Sequence, residues 1–427
     1  MDRLSVVDEI FLRAHRGMGT PIALQGLWRT ADPVDGELLE RIHAALRTGP
    51  LGRRVIRSRV PGARPRWQTT EWAHPPALTE TAIPAAALLD WADAQGDDLD
   101  PEIGPGWRVS ATELLEGGCV MSLTCSHALA DGRALTLAID HALAGTPLAA
   151  PVAGHTDWAD ARRQWATVIG GTARALRRGL PKRPEPPRDR TALSSLDQSA
   201  LSSLDSAAPW SGGRSVPVTR SAITQVSARD WNRVAVAHDG TANSLFVHII
   251  ANMLWDSGFQ EPTLTASLPV DTRDEPRVDN DMAMTEIVIT RDDTPATLRR
   301  KARTAYEHRM TSPGGIPEEL LQVIPDRWAY ALAKGAGERD ILCSNIGTLP
   351  DSLLSLGPHP CTGVAARAIH PGLRPDRLPR TRLSGYLTRI ADAYTLSVVS
   401  LDPDAAPSPA ALVDKALADL GLTGTRW

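Results

Sequence analysis

Residues 107–135 read WRVSATELLEGGCVMSLTCSHALADGRAL, and the pattern of this stretch decides the fold. WRVSATELL alternates apolar and polar side chains, as a half-buried strand does. GGCVMSLTCS (117–126) is a nearly continuous apolar run, consistent with a strand covered on both faces. Between them ELLEGG (113–118) makes a hairpin turn. Further on, ALTLAIDHALAG (134–145) has helical periodicity and stops on Gly145. This strand–turn–strand–helix unit sets His127 at a strand end, with Asp131 and Gly132 close behind. Neutral imidazole, with an ordinary pKa of about 6.5, suits a general base acting on a hydroxyl or amine near pH 7. In a chain with 11 histidines, HxxxD also arises by chance. The plain alternative is a histidine simply held in place by hydrogen bonds.

The composition narrows the function classes. A chain of 427 residues exceeds one ordinary core, so two lobes are expected. Hydrophobic content of 42% and charged content of 22% are those of a globular protein. The net charge of -4 gives no electrostatic case for nucleic acid or an anionic membrane. Only four of the 46 basic residues are lysine, a bias expected of a GC-rich bacterial genome. The start, MDRLSVVDEIFLRAHRG, has acidic residues where a secretion signal needs a basic region and an apolar core. SLFVHIIANMLW (244–255) is too short and too polar to span a bilayer. Cys119, Cys125, Cys343 and Cys361 form no CxxC pair and are too few to staple the chain. The expected compartment is the cytoplasm.

One composition break divides the chain. Residues 180–215, LPKRPEPPRDRTALSSLDQSALSSLDSAAPWSGGRS, cluster Pro, Ser and Asp and repeat ALSSLD. Such a stretch buries little apolar surface and reads as a linker or surface loop. The expected organisation is an N-terminal lobe over 1–180, a linker over 181–216 and a C-terminal lobe over 217–427. In the first lobe GELLERIHAALR (36–47) predicts a helix. In the second, RSAITQVS, LTASLPVD, TEIVIT, ILCSNIG, GYLTRIAD and YTLSVVSLD predict strands. Helices are predicted at ARDWNRVAVAHDG, at Leu245–Trp255 with Asn243 or Ser244 as its cap, at TPATLRRKARTAYEHRM, at PEELLQVIPDRWAYALAKG and at PAALVDKALADL. Both halves mix strands with helices, which gives an α/β (α+β) class.

No GxSxG elbow, HExxH, P-loop or complete GxGxxG is present, and no cluster has metal-ligand spacing. HALADG, between a strand and a helix, resembles the second half of HHxxxDG. That is the signature of the superfamily of chloramphenicol acetyltransferase, condensation domains, wax ester synthases and polyketide-associated acyltransferases. In the same order, GTANSLFVHIIANML (240–254) resembles a helix of that family's C-terminal lobe. ASLPVDTRDE (266–275) resembles its P-V-x-x-R segment and CSNIGTLP (343–350) its S-N-x-G strand end. The sequence departs at the first histidine, replaced here by Ser126.

The resemblance implies a two-lobed chloramphenicol acetyltransferase-like fold with an active-site tunnel between lobes. It implies transfer of an acyl group from a thioester, either acyl-CoA or an acyl carrier protein, to a hydroxyl or amine. The acceptor is a small molecule or is tethered to a carrier, and the setting is natural-product or complex-lipid assembly. His127 is then the general base, with no acyl-enzyme and no permanently bound cofactor. Asp131 faces away and pairs with an arginine, for which Arg273, Arg53 and Arg54 are candidates. Gly132 permits a close approach. Ser344, Asn345 and Gly347, with Ser126, are tentative substrate or oxyanion contacts, the alternative for the first three being an ordinary turn. Trp28, Trp67 and Trp255 are read as core before acyl pocket, and His238, His248 and His370 as structural. The rival function is a catalytically altered relative that binds a carrier protein or cyclises a tethered intermediate.

Overall fold

The computed structural model describes residues 3–146, 156–177, 219–307, 319–326, 328–329, 338–403 and 405–427. The proposed linker, 181–216, lies outside them.

Two mixed sheets carry the fold. The first runs β11 (Ser355–Leu356), β12 (His359–Ile369), β1 (Ala23–Thr30), β6 (Cys119–Ser126), β5 (Trp107–Glu113), β4 (Ala77–Leu78). The quoted stretch forms the β5–β6 hairpin, with Trp107 opposite Cys125 and Glu113 opposite Cys119. Gly118 closes its turn at φ 85°, where any Cβ would meet the Thr30 carbonyl oxygen. Every residue of β6 is buried, as its unbroken apolar run predicts. A small hairpin, β2 (Arg53–Ile56) with β3 (Arg66–Thr69), stands beside this sheet.

Beyond the linker, β7 (Arg220–Ser227), β8 (Thr263–Asp271), β9 (Met282–Thr290), β10 (Ile341–Thr348), β13 (Leu383–Ile390), β14 (Ala393–Ser400) and β15 (Gly424–Arg426) are ordered β15-β7-β14-β13-β10-β8-β9. Strands β8, β10 and β13 are parallel neighbours. Each of the six strands expected in this half is present.

The first sheet is not built from the first half alone. β12 lies antiparallel against β1 from Ala23–Ile369 to Thr30–Cys361, and β11 pairs with β12. The chain thus returns from the second half to complete the first sheet. Neither β1 nor β12 stood out in the sequence. Their interiors hold Gln25 and Arg367, whose side chains hydrogen-bond at 2.9 Å deep in the sheet.

The helices are α1 (Val6–His15), α2 (Gly36–Thr48), α3 (Leu88–Ala94), α4 (Gly132–Ala144), α5 (Asp157–Arg177), α6 (Ala228–Ala237), α7 (Ala242–Asp256), α8 (Pro295–Glu307), α9 (Leu320–Val323) and α10 (Pro409–Asp419). Asp131 caps α4 and Gly145 ends it at φ 65°. Helix α7 begins earlier than the sequence suggests. Its cap is Thr241, which exchanges hydrogen bonds with Ser244 three residues on. The helix expected at 317–335 is interrupted after α9, where Ile324 turns extended before Pro325; Asp326, Trp328 and Ala329 are helical again, and much of the rest lies outside the described residues. One apolar core packs around the first sheet with α2 and α4, a second around the other sheet with α7. Trp28 and Trp67 belong to the first and Trp255 to the second, which favours their core reading. Among the described residues no helix is long and apolar enough to cross a membrane.

Candidate active site

His127 follows the last residue of β6, and its backbone N–H donates to the Ile22 carbonyl just before β1. Its ring is buried. Phe11 of α1 stacks on one face, with ring centroids 3.5 Å apart and planes inclined by 12°. Asn280 holds Nδ1 at 3.2 Å through its Oδ1. Asn280 Nδ2 in turn donates to the His127 carbonyl at 2.8 Å and to Asp8 Oδ1 of α1 at 2.9 Å. Burial pushes the imidazole down to about 4, because charge is costly away from water. The ring is therefore neutral at pH 7. Burial also raises the Asp8 carboxyl above the usual carboxylate range, although the Ser5 N–H and Asn280 both donate to it.

The Asp131 partner is Arg273. Its Nη2 lies 2.6 Å from Asp131 Oδ2, and the backbone N–H of Asp281 donates to the same oxygen at 3.0 Å. Asp131 Oδ1 caps α4 through the Ala134 N–H at 2.9 Å. The carboxylate therefore turns away from the imidazole and ties the start of α4 to the loop between β8 and β9. Arg53 instead lies over the Trp67 ring and donates to the Leu129 carbonyl at 2.6 Å. Arg54 bonds Gln68.

At Gly132 a Cβ would come within 2.7 Å of Ile346 Cδ1. The end of β10 thus crosses the first turn of α4, and Arg133 donates to the Thr348 carbonyl there at 3.4 Å. Asn345 is occupied within its own lobe: Oδ1 accepts from the Gly347 N–H and Nδ2 donates to Asn243, each at 3.0 Å. The expected turn is instead a bulge within β10, between Asn345 and Gly347, with Gly347 at φ 87°. Ser344 is half-buried in β10. Ser126 is buried, and its Oγ accepts from the Ala128 N–H at 3.4 Å.

His370 emerges at the same end of the sheet as His127. β6 and β12 flank β1 with Ser126 and Ile369 both opposite Ala23. Its Nδ1 faces the Pro21 carbonyl at 2.9 Å, and burial pushes it down to about 4. His248 bonds Asn252 within α7, and His238 caps α6.

Sequence reasoning missed Phe11, Asp8 and Asn280. Asn280 lies on the same loop as Arg273, so that arginine marked its neighbourhood. Asp8 lies in the first turn of α1, where it closes a capping box with Ser5.

No protein-family model and no curated protein sequence matches the chain. Solved structures do. The first condensation domain of the CDA synthetase superposes with a TM-score of 0.61 at 14% identity, covering 98% of this chain and 95% of that one. Polyketide synthase associated protein 5 from Mycobacterium tuberculosis gives 0.55 at 12%, covering 98% and 97%. The starter condensation domain of rhizomide synthetase, in complex with C8-CoA, gives 0.55 at 15%, covering 98% and 92%. At these identities the likeness speaks for the architecture, and it extends over nearly the whole length of each chain. By fold, this chain is a two-lobed condensation-domain-like protein.

Proposed function

We propose that the chain is a cytoplasmic acyltransferase that moves an acyl group from a thioester to a hydroxyl or amine, with His127 as general base. The observation that carries this reading is the state of His127: buried, neutral at pH 7, stacked on Phe11, with Nδ1 held by Asn280. Only Nε2 is left to accept a proton. In the reaction the acceptor oxygen or nitrogen attacks the thioester carbonyl while Nε2 takes its proton. The tetrahedral oxyanion collapses, the C–S bond breaks, and the thiolate recovers the proton from the imidazolium. The products are an ester or amide and a free thiol. Such general-base help contributes about 10²–10⁴ in rate. Asp131 and Arg273 do no chemistry in this scheme; they hold the turn that presents the histidine.

Acyl-CoA and a carrier-bound phosphopantetheine thioester are both donors of the required kind. The complex of the rhizomide domain with C8-CoA supports the first, and the synthetase setting of the other similar structures supports the second. No permanently bound cofactor is invoked. Ser344 remains a proposed substrate contact on β10, the strand whose Ile346 meets Gly132.

The test is intact-mass analysis of candidate alcohol and amine acceptors incubated with acyl-CoAs of several lengths and with acylated carrier proteins. A gain of one acyl mass that disappears in His127→Ala supports the reading. Equal transfer by wild type and His127→Ala would sink it and favour a role as a binding partner of carrier proteins.

A further inference from the structure

With Ser126 standing where the related motif has a histidine, the orientation of His127 must be supplied by other residues. We propose that Asn280 and Asp8 are positioning residues that lock His127 in the Nδ1–H tautomer and so make Nε2 the base. This rests on the reading of His127 as base.

The sense of the Asn280 amide follows from its neighbours. One side faces the carbonyl oxygens of His127 at 2.8 Å and Ala128 at 3.3 Å. Backbone carbonyls only accept, so this side must be the NH₂ group. The second NH₂ hydrogen goes to Asp8 Oδ1. Turning the amide over would set its oxygen against two carbonyl oxygens and strand a buried donor. The amide oxygen therefore faces Nδ1, and an acceptor there requires Nδ1 to carry the hydrogen. A neutral ring with hydrogen on Nδ1 has its lone pair on Nε2. The tautomer is thus set through a chain of three side chains from three distant segments.

Asp8 closes the chain. Its Oδ2 accepts from the Ser5 N–H at 2.8 Å while Oδ1 takes Asn280, so its orientation is fixed by the first turn of α1. The same helix delivers Phe11 to the face of the ring. Helix α1 therefore fixes the imidazole plane directly and its protonated nitrogen through Asn280.

Nitrogen-15 NMR of histidine-labelled protein at pH 7 reads the tautomer without any substrate. The expected spectrum shows His127, identified by loss of its signals in His127→Gln, with Nδ1 protonated and Nε2 bare. Hydrogen on Nε2 instead would overturn the proposal even if the protein proves to be an acyltransferase. The expected spectrum without any turnover would uphold it and fault the acyl-transfer reading. In Asn280→Leu, the expected result is a mixture of tautomers and a kcat lowered about ten- to a hundredfold, part of the whole general-base effect. KM for the thioester should hardly move. An unchanged tautomer and kcat in a folded Asn280→Leu protein would also overturn it. If that variant does not fold, Asp8→Asn decides. Its amide sets an NH₂ group against the Asn280 NH₂ or strands the Ser5 N–H, so the tautomer should become mixed and kcat should fall. A folded Asp8→Asn protein with the wild-type tautomer and kcat would count against the proposal.

Discussion

Arg273 and Asp131 meet at 2.6 Å across the two halves of the chain, both side chains nearly inaccessible to water. Arg273→Ala leaves the Asp131 carboxylate buried without its cation, whereas loss of Asp131 leaves Arg273 still paired with Asp271 at 2.7 Å. Arg273→Ala should therefore cost about 3–5 kcal/mol, the usual penalty for breaking a buried pair from one side. Asp131→Asn should cost less, because Arg273 keeps Asp271 at 2.7 Å, although the single amide oxygen can cap α4 or meet Arg273 but not both. Chemical denaturation of both variants checks the order; equal, small losses would show that the pair contributes little.

His127→Ala should lower kcat about 10²–10⁴-fold and also lower the thermal transition, because it empties a buried site against Phe11 and strips Asn280 of a partner. Steady-state kinetics on whichever acceptor gains acyl mass measures the first. A scan of near-UV circular dichroism against temperature measures the second.

Acid sensitivity has a definite sign. Burial holds His127 and His370 at about 4 in the folded chain, against about 6.5 when unfolded. On acidification the unfolded chain binds protons first. The stability from keeping these rings neutral is complete above about pH 6.5 and drains as pH falls towards 4. Glu9, raised by burial to about 7, acts oppositely: its contribution is lost as pH rises from about 4.5 through 7. Comparing His370→Leu with wild type at matched pH isolates the histidine effect. The variant should lose stability less steeply between pH 6.5 and 4.5, and parallel curves would refute the assignment.

Gly132→Ala places a methyl group against Ile346 Cδ1. Overpacking of this kind costs about 1–3 kcal/mol, here towards the low end because the clash meets the far end of a flexible side chain. Adding Ile346→Ala should recover most of that cost. A double-mutant cycle with no coupling would show that the close approach is unimportant.

Thr241 caps α7, so Thr241→Ala should destabilise the protein by about 0.5–2 kcal/mol. Asn243→Ala should cost less than that. Urea midpoints separate the two positions.

The hairpin, the motif and α4 were legible because local signals agree there: alternation in β5, an unbroken apolar run in β6, and Gly145 at the stop. The strands β7–β10, β13 and β14 were legible for the same reason. β1 and β12 were not, since Gln25 and Arg367 break the apolar pattern and find their partners, each other and Asp93, Ser122 and Thr124, only in the folded chain. At the site, His127, Asp131 and Gly132 share one short stretch, and Arg273 was already among the candidate partners for Asp131. Asn280 is 153 residues from His127, and Asp8 is 272 from Asn280. No periodicity spans such distances, so only the folded chain joins them.

The late return of β12 also sets a timetable for synthesis. Gln25 and its partner Arg367 are 342 residues apart. At about 5–20 residues per second, roughly 20–70 s separate their appearance from the ribosome. Once β6 has been made, and until β12 follows, β1 has β6 on one side and an open edge on the other. A nascent chain of this protein is therefore most exposed to edge-to-edge association before its last 60 or so residues are made, when strand β12 finally takes its place.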